Sequence, residues 1–212
     1  MADYAAYDKR YRLAAEQPEA LDRLLPHYVR DFLAVERKSE ALLRELLRRG
    51  QYRILSVHSQ ETGTHAAYLM GYPVDGERYF FLDFFAVDPA FRGGGLGKWT
   101  LLTLGAMLGV EGLFFELEIP GELAQPHDES VRRIGFYDRL GAHRLPVEYA
   151  LLHGDGSLFP MYFYYLPFVS ELPDRGSIKE AIAVAYDYTY SFVTAEYPRW
   201  RETLASILST VK

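Results

Sequence analysis

Four glycines fall within five residues in Arg92-Gly93-Gly94-Gly95-Leu96-Gly97-Lys98. A plain turn seldom carries so many, because each glycine adds backbone entropy that folding must remove. Their physical use is close approach: amides with no Cβ in the way form a nest, and a following helix N-terminus adds positive potential. A pyrophosphate is the natural guest of such a loop. A Walker loop would need glycine where Arg92 stands and Ser or Thr where Trp99 stands. A dinucleotide fingerprint starting at Gly95 would need Gly or Ala where Thr100 stands. A glycine-rich turn without a ligand is the plain alternative. Three carboxylates stand on strand-like segments near the loop. Asp83 lies four residues before Val87 and is expected on the same strand face, while Glu116 and Glu118 share a face by period two. Carboxylates so placed can take protons, pair with structural cations, form an anionic pocket or simply face solvent. The six histidines lack metal-ligand spacing and cysteine is absent, so no metal is implied and thiolate chemistry is excluded.

The elements that must position these residues belong to a chain of 212 residues, 49% apolar and 15% aromatic, enough to bury a full core. The net charge of −6 disfavours phosphate-backbone binding, and no nucleic-acid partner is expected. The stretch Met1 to Arg10 has no apolar leader, and no apolar run approaches a membrane span. The reading is a soluble, cytoplasmic protein with no membrane partner.

Tyr11 to Ala15 reads as a short strand. From Pro18, Leu21, Leu25, Tyr28 and Phe32 line one helical face, and Ser39 to Arg49 forms a second helix ended by Gly50. Tyr52 to His58 and His65 to Tyr72 alternate as strands, and Asp75-Gly76 signals a tight hairpin into the run Arg78 to Val87. Asp88-Pro89 stops that run, and a helix is expected over about Leu96 to Leu108. A strand over Gly112 to Ile119 follows, then a helix from an Asp128 cap to Leu140 with Gly141 behind it. Strands over Val147 to Leu152 and Met161 to Leu166 flank the turn Gly154-Asp155-Gly156. From Ser177 the chain reads as helical and tyrosine-rich, broken at Pro198. Tyr186 and Tyr190, like Tyr188 and Phe192, sit one helical turn apart, a spacing that suits packing, a cover over an acceptor, or a dimer contact.

The loop fills the pattern Arg/Gln-x-x-Gly-x-Gly/Ala as Arg92, Gly95 and Gly97, and Phe136-Tyr137-x-x-x-Gly141 closes a later helix. On these two motifs the sequence resembles the GNAT superfamily of acyl-CoA-dependent N-acyltransferases, in particular bacterial small-molecule acetyltransferases. The resemblance spans roughly residues 10 to 168. It implies an α/β fold with a mixed, mostly antiparallel sheet, helices on both faces and a splayed central strand pair. Residues 1–168 would form the acetyltransferase domain, and 169–212 an accessory C-terminal helical segment packed on it.

The cosubstrate implied is acetyl-CoA. Its pantetheine arm would run along Phe85, Ala86 and Val87, and its pyrophosphate would sit among Arg92, Gly93, Gly94, Gly95, Leu96, Gly97 and Lys98. Many relatives place Asn where this chain has Ser130, and Arg132 and Arg133 either reach the CoA phosphates or solvate the helix. The helix-motif tyrosine, Tyr137, matches the residue that points at the thioester sulfur and can protonate the departing thiolate. Related polyamine acetyltransferases carry an acid at the position of Asp83, which makes it the first-choice base ahead of Glu116 and Glu118. Glu122 and His127 stand near in sequence. The expected activity is direct acetyl transfer to a primary amine of a small molecule or peptide in a ternary complex, by a monomer or homodimer. An acetyl-CoA-binding sensor or scaffold without turnover is the alternative, and an interaction domain with an empty loop is a third.

Overall fold

The computed structural model describes residues 9–34, 36–153, 155–169, 171–193 and 195–212. Residues 1–8, in the stretch read as carrying no apolar leader, and Gly154 of the expected turn lie outside the described residues. Two compact units emerge, Met1–Pro73 with Leu82–Gly109, and Val74–Phe81 with Val110–Lys212.

The first unit contains β1 (Tyr11–Ala15), α1 (Ala20–Asp31), α2 (Glu40–Arg48), β2 (Arg53–Ser59), most of β3 (His65–Val74), the second half of β4 (Tyr79–Val87) and α3 (Leu96–Leu108). Its strands follow the order β1-β2-β3-β4. Antiparallel register sets Leu13 opposite Val57 and Leu55 opposite Leu69. Helix α1 starts after Pro18 and buries Ala20, Leu21, Leu24 and Tyr28. Leu24 thus replaces the expected Leu25, a step of three that keeps the stripe on one side. Ser39 caps α2 by accepting from the Leu42 amide at 3.2 Å, and all four expected leucines are buried. In the hairpin Asp75, Gly76 and Glu77 have φ of 52°, 61° and 73°, and the Arg78 amide donates to the Asp75 carbonyl at 3.0 Å. The centre of the primed turn is therefore Gly76-Glu77, one residue later than the Asp75-Gly76 signal.

His27 of α1, His58 of β2 and His65 of β3 converge, with ring centroids 4.8 Å apart for His27–His65 and 5.5 Å for His58–His65. Both ring nitrogens of His65 are buried without a hydrogen-bond partner among the described residues. Burial first, then His27, His58 and Arg30, push the His65 imidazole down to about 4, against an opposing pull from Asp88. A histidine with a depressed folded pKa stabilises the protein above its unfolded value, and this contribution fades as protons bind the unfolded chain. Thermal stability should therefore fall as pH drops from 6.5 towards about 4. Melting curves across that window check this: His65→Phe should flatten the dependence, and an unchanged slope would rule the imidazole out.

The second unit holds the start of β4 with β5 (Gly112–Glu118), α4 (Glu129–Asp138), β6 (His143–Arg144), β7 (Tyr149–Leu152), β8 (Leu158–Pro167), α5 (Arg175–Tyr190) and α6 (Trp200–Thr210). The β4–β5 ladder is parallel and covers Tyr79–Phe81 against Gly112–Phe114; β4 then runs on to Val87 and β5 to Glu118. The β1–β2 and β2–β3 pairs are antiparallel, as are β5 along β8 and both β6 and β7 on β8. A Cβ on Gly112 would run into the Tyr165 ring, so that close strand contact requires glycine. Asp128 precedes α4 but does not cap it: its carboxylate instead accepts from the Gln125 amide at 2.8 Å. The strand β6 carries no sequence signal, being two exposed residues long.

The tyrosine stripe has a structural task. Tyr186 donates its hydroxyl to the Ala150 carbonyl, while Tyr190 donates to the Leu152 carbonyl at 3.2 Å and accepts from the Leu152 amide at 2.8 Å. These bonds satisfy the outer edge of β7, which would otherwise offer open backbone groups for pairing. The fold is mixed α/β, with a largely antiparallel sheet flanked by helices and a C-terminal helical extension. Among the described residues, no helix is long and apolar enough to cross a membrane, and no cluster of His, Asp and Glu could hold a metal ion.

Candidate active site

In the first unit the glycine loop is held from both ends. Asp88 accepts from the Ala90 amide at 3.0 Å and from Arg30 at 2.9 Å, which starts the short turn Pro89–Phe91. Arg92 is exposed, and its Nε donates to the Val87 carbonyl at 2.9 Å. Behind the loop, Leu96 and Trp99 bury themselves against Val57, Ala66 and Ala67, with Phe85 and Val87 packed on the same cluster.

Gly93 and Gly95 have φ of 82° and 85°, conformations that L side chains rarely adopt. Gly94 between them has an ordinary φ, and a Cβ on Gly93 or Gly94 would meet no atom within 4 Å. The first turn of α3 has neither a side-chain cap nor an acidic residue. A helix N-terminus without a side-chain cap, beside glycines where an added Cβ meets no atom, suits a pyrophosphate in charge and in space.

Asp83 lies on β4 just before this region, and it is engaged. Lys38 Nζ lies 2.9 Å from its Oδ1 and 2.8 Å from its Oδ2, the two side chains being only 9% and 11% exposed. Tyr52 donates its hydroxyl to the same carboxylate, and burial together with the Asp83 charge holds that phenol well above its usual range. Lys38 also stands 5.6 Å over the Phe84 ring. Two successive strand residues thus meet one lysine, while Phe85 and Val87 pack on the α3 cluster. Along β4 the half-buried positions Asp83, Phe85 and Val87 alternate with the buried Phe84 and Ala86.

Removing one partner of a buried ion pair strands the other charge. Asp83→Asn should accordingly lower stability by about 3–5 kcal/mol, measured by denaturant unfolding. An Asn variant of full stability would show that the pair carries no structural weight.

In the second unit, Tyr137 is the buried residue of α4 at 7% exposure, its ring 4.2 Å from that of Phe115. Phe136 and Leu140 are only half-buried. Burial pushes the Tyr137 phenol well above its usual range, and the charge of Arg133 opposes this. Arg133 also pairs with Glu129 at 3.3 Å; Ser130 is half-buried in the first turn of α4, and Arg132 is exposed. Glu116 accepts the Tyr149 hydroxyl, and its charge helps hold Tyr186 and Tyr190 above the ordinary phenol range. Glu118, Glu122 and His127 are exposed. Lys38, Tyr52 and Tyr149 went unnoticed in the sequence, and no local pattern marks them.

The sequence profile of the acetyltransferase (GNAT) family matches residues 21–142, which contain both the loop and the Phe-Tyr motif. This chain belongs to the GNAT acetyltransferase family. The family's chemistry is acyl transfer from acetyl-CoA, and the chain shares its fold with several solved members. A Bacteroides thetaiotaomicron protein assigned to the GNAT acetyltransferases superposes with a TM-score of 0.64 at 22% identity, covering 83% of this chain and 96% of that one. The spermidine N-acetyltransferase of Vibrio cholerae, solved with CoA and spermine, gives 0.52 at 12% identity over 74% and 95%. The ribosomal-protein-S18-alanine N-acetyltransferase of Escherichia coli gives 0.52 at 20% identity over 77% and 97%. At these identities the likeness establishes the fold alone. No curated protein sequence matches the chain.

Proposed function

We propose that this protein transfers the acetyl group of acetyl-CoA directly to a primary amine of a small molecule or peptide, in a ternary complex. The observation that carries the reading is the glycine turn at the start of α3, which has no side-chain cap and, at Gly93, a left-handed backbone with room beside it for a pyrophosphate. The amides of Gly93 to Lys98, with Arg92, would hold the phosphates, and the backbone of Phe85, Ala86 and Val87 would hold the pantetheine arm. Acetyl-CoA supplies the acetyl group already activated as a thioester. Ser130 and Arg133 are the α4 residues assigned to CoA, with Arg133 also acting on the Tyr137 phenol.

The acceptor amine, protonated at neutral pH, must lose a proton before it can attack. Asp83, Glu116 and Glu118 are the carboxylates available, and Asp83 can serve only when Lys38 lets go of it. Tyr137 keeps its proton at neutral pH and is the donor for the departing thiolate. With no cysteine in the chain, a cysteine-bound acetyl intermediate is not an option.

The test pairs calorimetric titration of acetyl-CoA with CoA release across polyamines, aminoglycosides, amino acids and peptides. Binding with turnover on any amine supports the reading. Binding without turnover favours a sensor or scaffold, and no binding removes both.

A further inference from the structure

The three candidate carboxylates are held differently. Asp83 is engaged by a buried lysine, and Glu118 is exposed at the end of β5. Glu116 is half-buried, the first residue of β5 that is not fully covered, and stands two positions beyond Phe114, where the β4–β5 ladder ends. Its carboxylate accepts the hydroxyl of Tyr149, a buried tyrosine of β7. The Tyr149 ring lies 4.9 Å from Phe163, the residue opposite Glu116 on β8, and meets Tyr186 of α5 edge-on at 6.0 Å. The next backbone groups of β7 are held by the same helix. Tyr186 donates to the Ala150 carbonyl, and Tyr190 both donates to and accepts from Leu152. The tyrosine stripe thus fixes the strand that aims Tyr149 at Glu116.

Glu116 and its neighbour Phe115 face opposite sides of the sheet, as successive strand residues do. Phe115 packs on Tyr137 of α4, and Glu116 meets Tyr149 on the side of α5. This separation suits acyl transfer. The C–N bond forms on one side of the thioester carbon while the C–S bond breaks on another, so base and acid belong in different places. A phenol that donates to a carboxylate also fixes its direction and favours its charged form.

Resting on the acetyl-transfer reading, we propose that Glu116 takes the amine's proton and that Tyr149, braced by α5, is its positioning residue. Glu116 removes one proton from the ammonium, and the freed lone pair forms the C–N bond as the C–S bond breaks. Tyr137 gives its proton to the thiolate and regains one from the acetylated nitrogen. Glu116 returns its proton to solvent. The C-terminal extension thereby has a part in the reaction, through β7, without touching substrate.

The experiment follows CoA release against pH with a primary amine that the wild-type protein acetylates, beside acetyl-CoA titration and a thermal melt of each variant. Glu116→Gln keeps an acceptor for the Tyr149 hydroxyl, so the fold should hold. Its turnover at neutral pH should drop by roughly a hundredfold or more, with acetyl-CoA affinity unchanged, and Glu116→Asp should restore part of it. Tyr149→Phe keeps the ring and removes only the hydroxyl. It should lower kcat by roughly three- to thirtyfold and move the acid limb of the kcat profile to higher pH, because the carboxylate loses a donor to its charged form. A merely structural tyrosine would leave that limb in place. Full turnover in Glu116→Gln, or a wild-type acid limb in Tyr149→Phe, would overturn the assignment while leaving acetyl transfer intact. Should Tyr149→Phe fail to fold, Tyr186→Phe, which frees the adjoining Ala150 carbonyl, replaces it: a shift in the same direction supports the proposal and an unmoved limb defeats it. Turnover of no amine by the wild-type protein, with acetyl-CoA bound, would instead bring down the acetyl-transfer reading and this inference with it.

Discussion

Tyr137→Phe is expected to lower turnover by roughly ten- to a thousandfold with acetyl-CoA affinity nearly unchanged. The substitution keeps the ring that packs 4.2 Å from Phe115 and removes only the hydroxyl, so α4 should keep its place. Burial holds the phenol above its usual range despite Arg133, so at neutral pH the group retains its proton and can donate it. Among the described residues no hydrogen bond of the Tyr137 hydroxyl is formed, which separates it from Tyr186 and Tyr190, whose hydroxyls are committed to β7. The decisive measurement is a single turnover with preformed acetyl-CoA complex. A chemical step at the wild-type rate in the Phe variant would mean that Tyr137 is not the acid.

Gly94→Val should abolish or severely weaken acetyl-CoA binding, by tenfold or more, while melting at the wild-type temperature. Gly94 is the clean position in the loop: its φ is ordinary and a Cβ there meets no protein atom within 4 Å. The protein thus has room for a side chain that the phosphates would not tolerate. Gly93 and Gly95 are different, because φ of 82° and 85° would strain any side chain, and loss of binding there would be confounded with loss of fold. Calorimetry on the Gly94 variant, beside a thermal melt, separates the two effects. Full CoA affinity in a folded Gly94→Val protein would refute the phosphate nest.

What the sequence determined by itself was local. The bounds of α3 are legible because Gly95 and Gly109 both take positive φ at its ends, a property of those residues and their immediate neighbours. The hairpin at Gly76 and the Ser39 cap follow from equally short-range chemistry. Both family motifs lie within single loops or helix ends, and they suffice to indicate fold and cosubstrate. That Tyr186 and Tyr190 share one face of α5 also follows from their spacing of one turn, whereas their bonds to β7 do not.

Tertiary structure alone decided which carboxylate meets which cation. Lys38 and Tyr52 lie 45 and 31 residues from Asp83, and nothing in the intervening sequence encodes their meeting. Period two predicted a shared face for Asp83 and Val87. That rule orders residues within β4 and says nothing of the lysine and the phenol that reach Asp83 from outside it. Tyr137 rather than Phe136 became the buried residue of α4 because the position of Phe115 on β5, not helical periodicity, decides which ring finds a partner. The buried ring nitrogens of His65, without a partner among the described residues, belong to the same class. A missing partner can be seen only after every element that could have supplied one has been placed, because burial and satisfaction are properties of the whole packed chain.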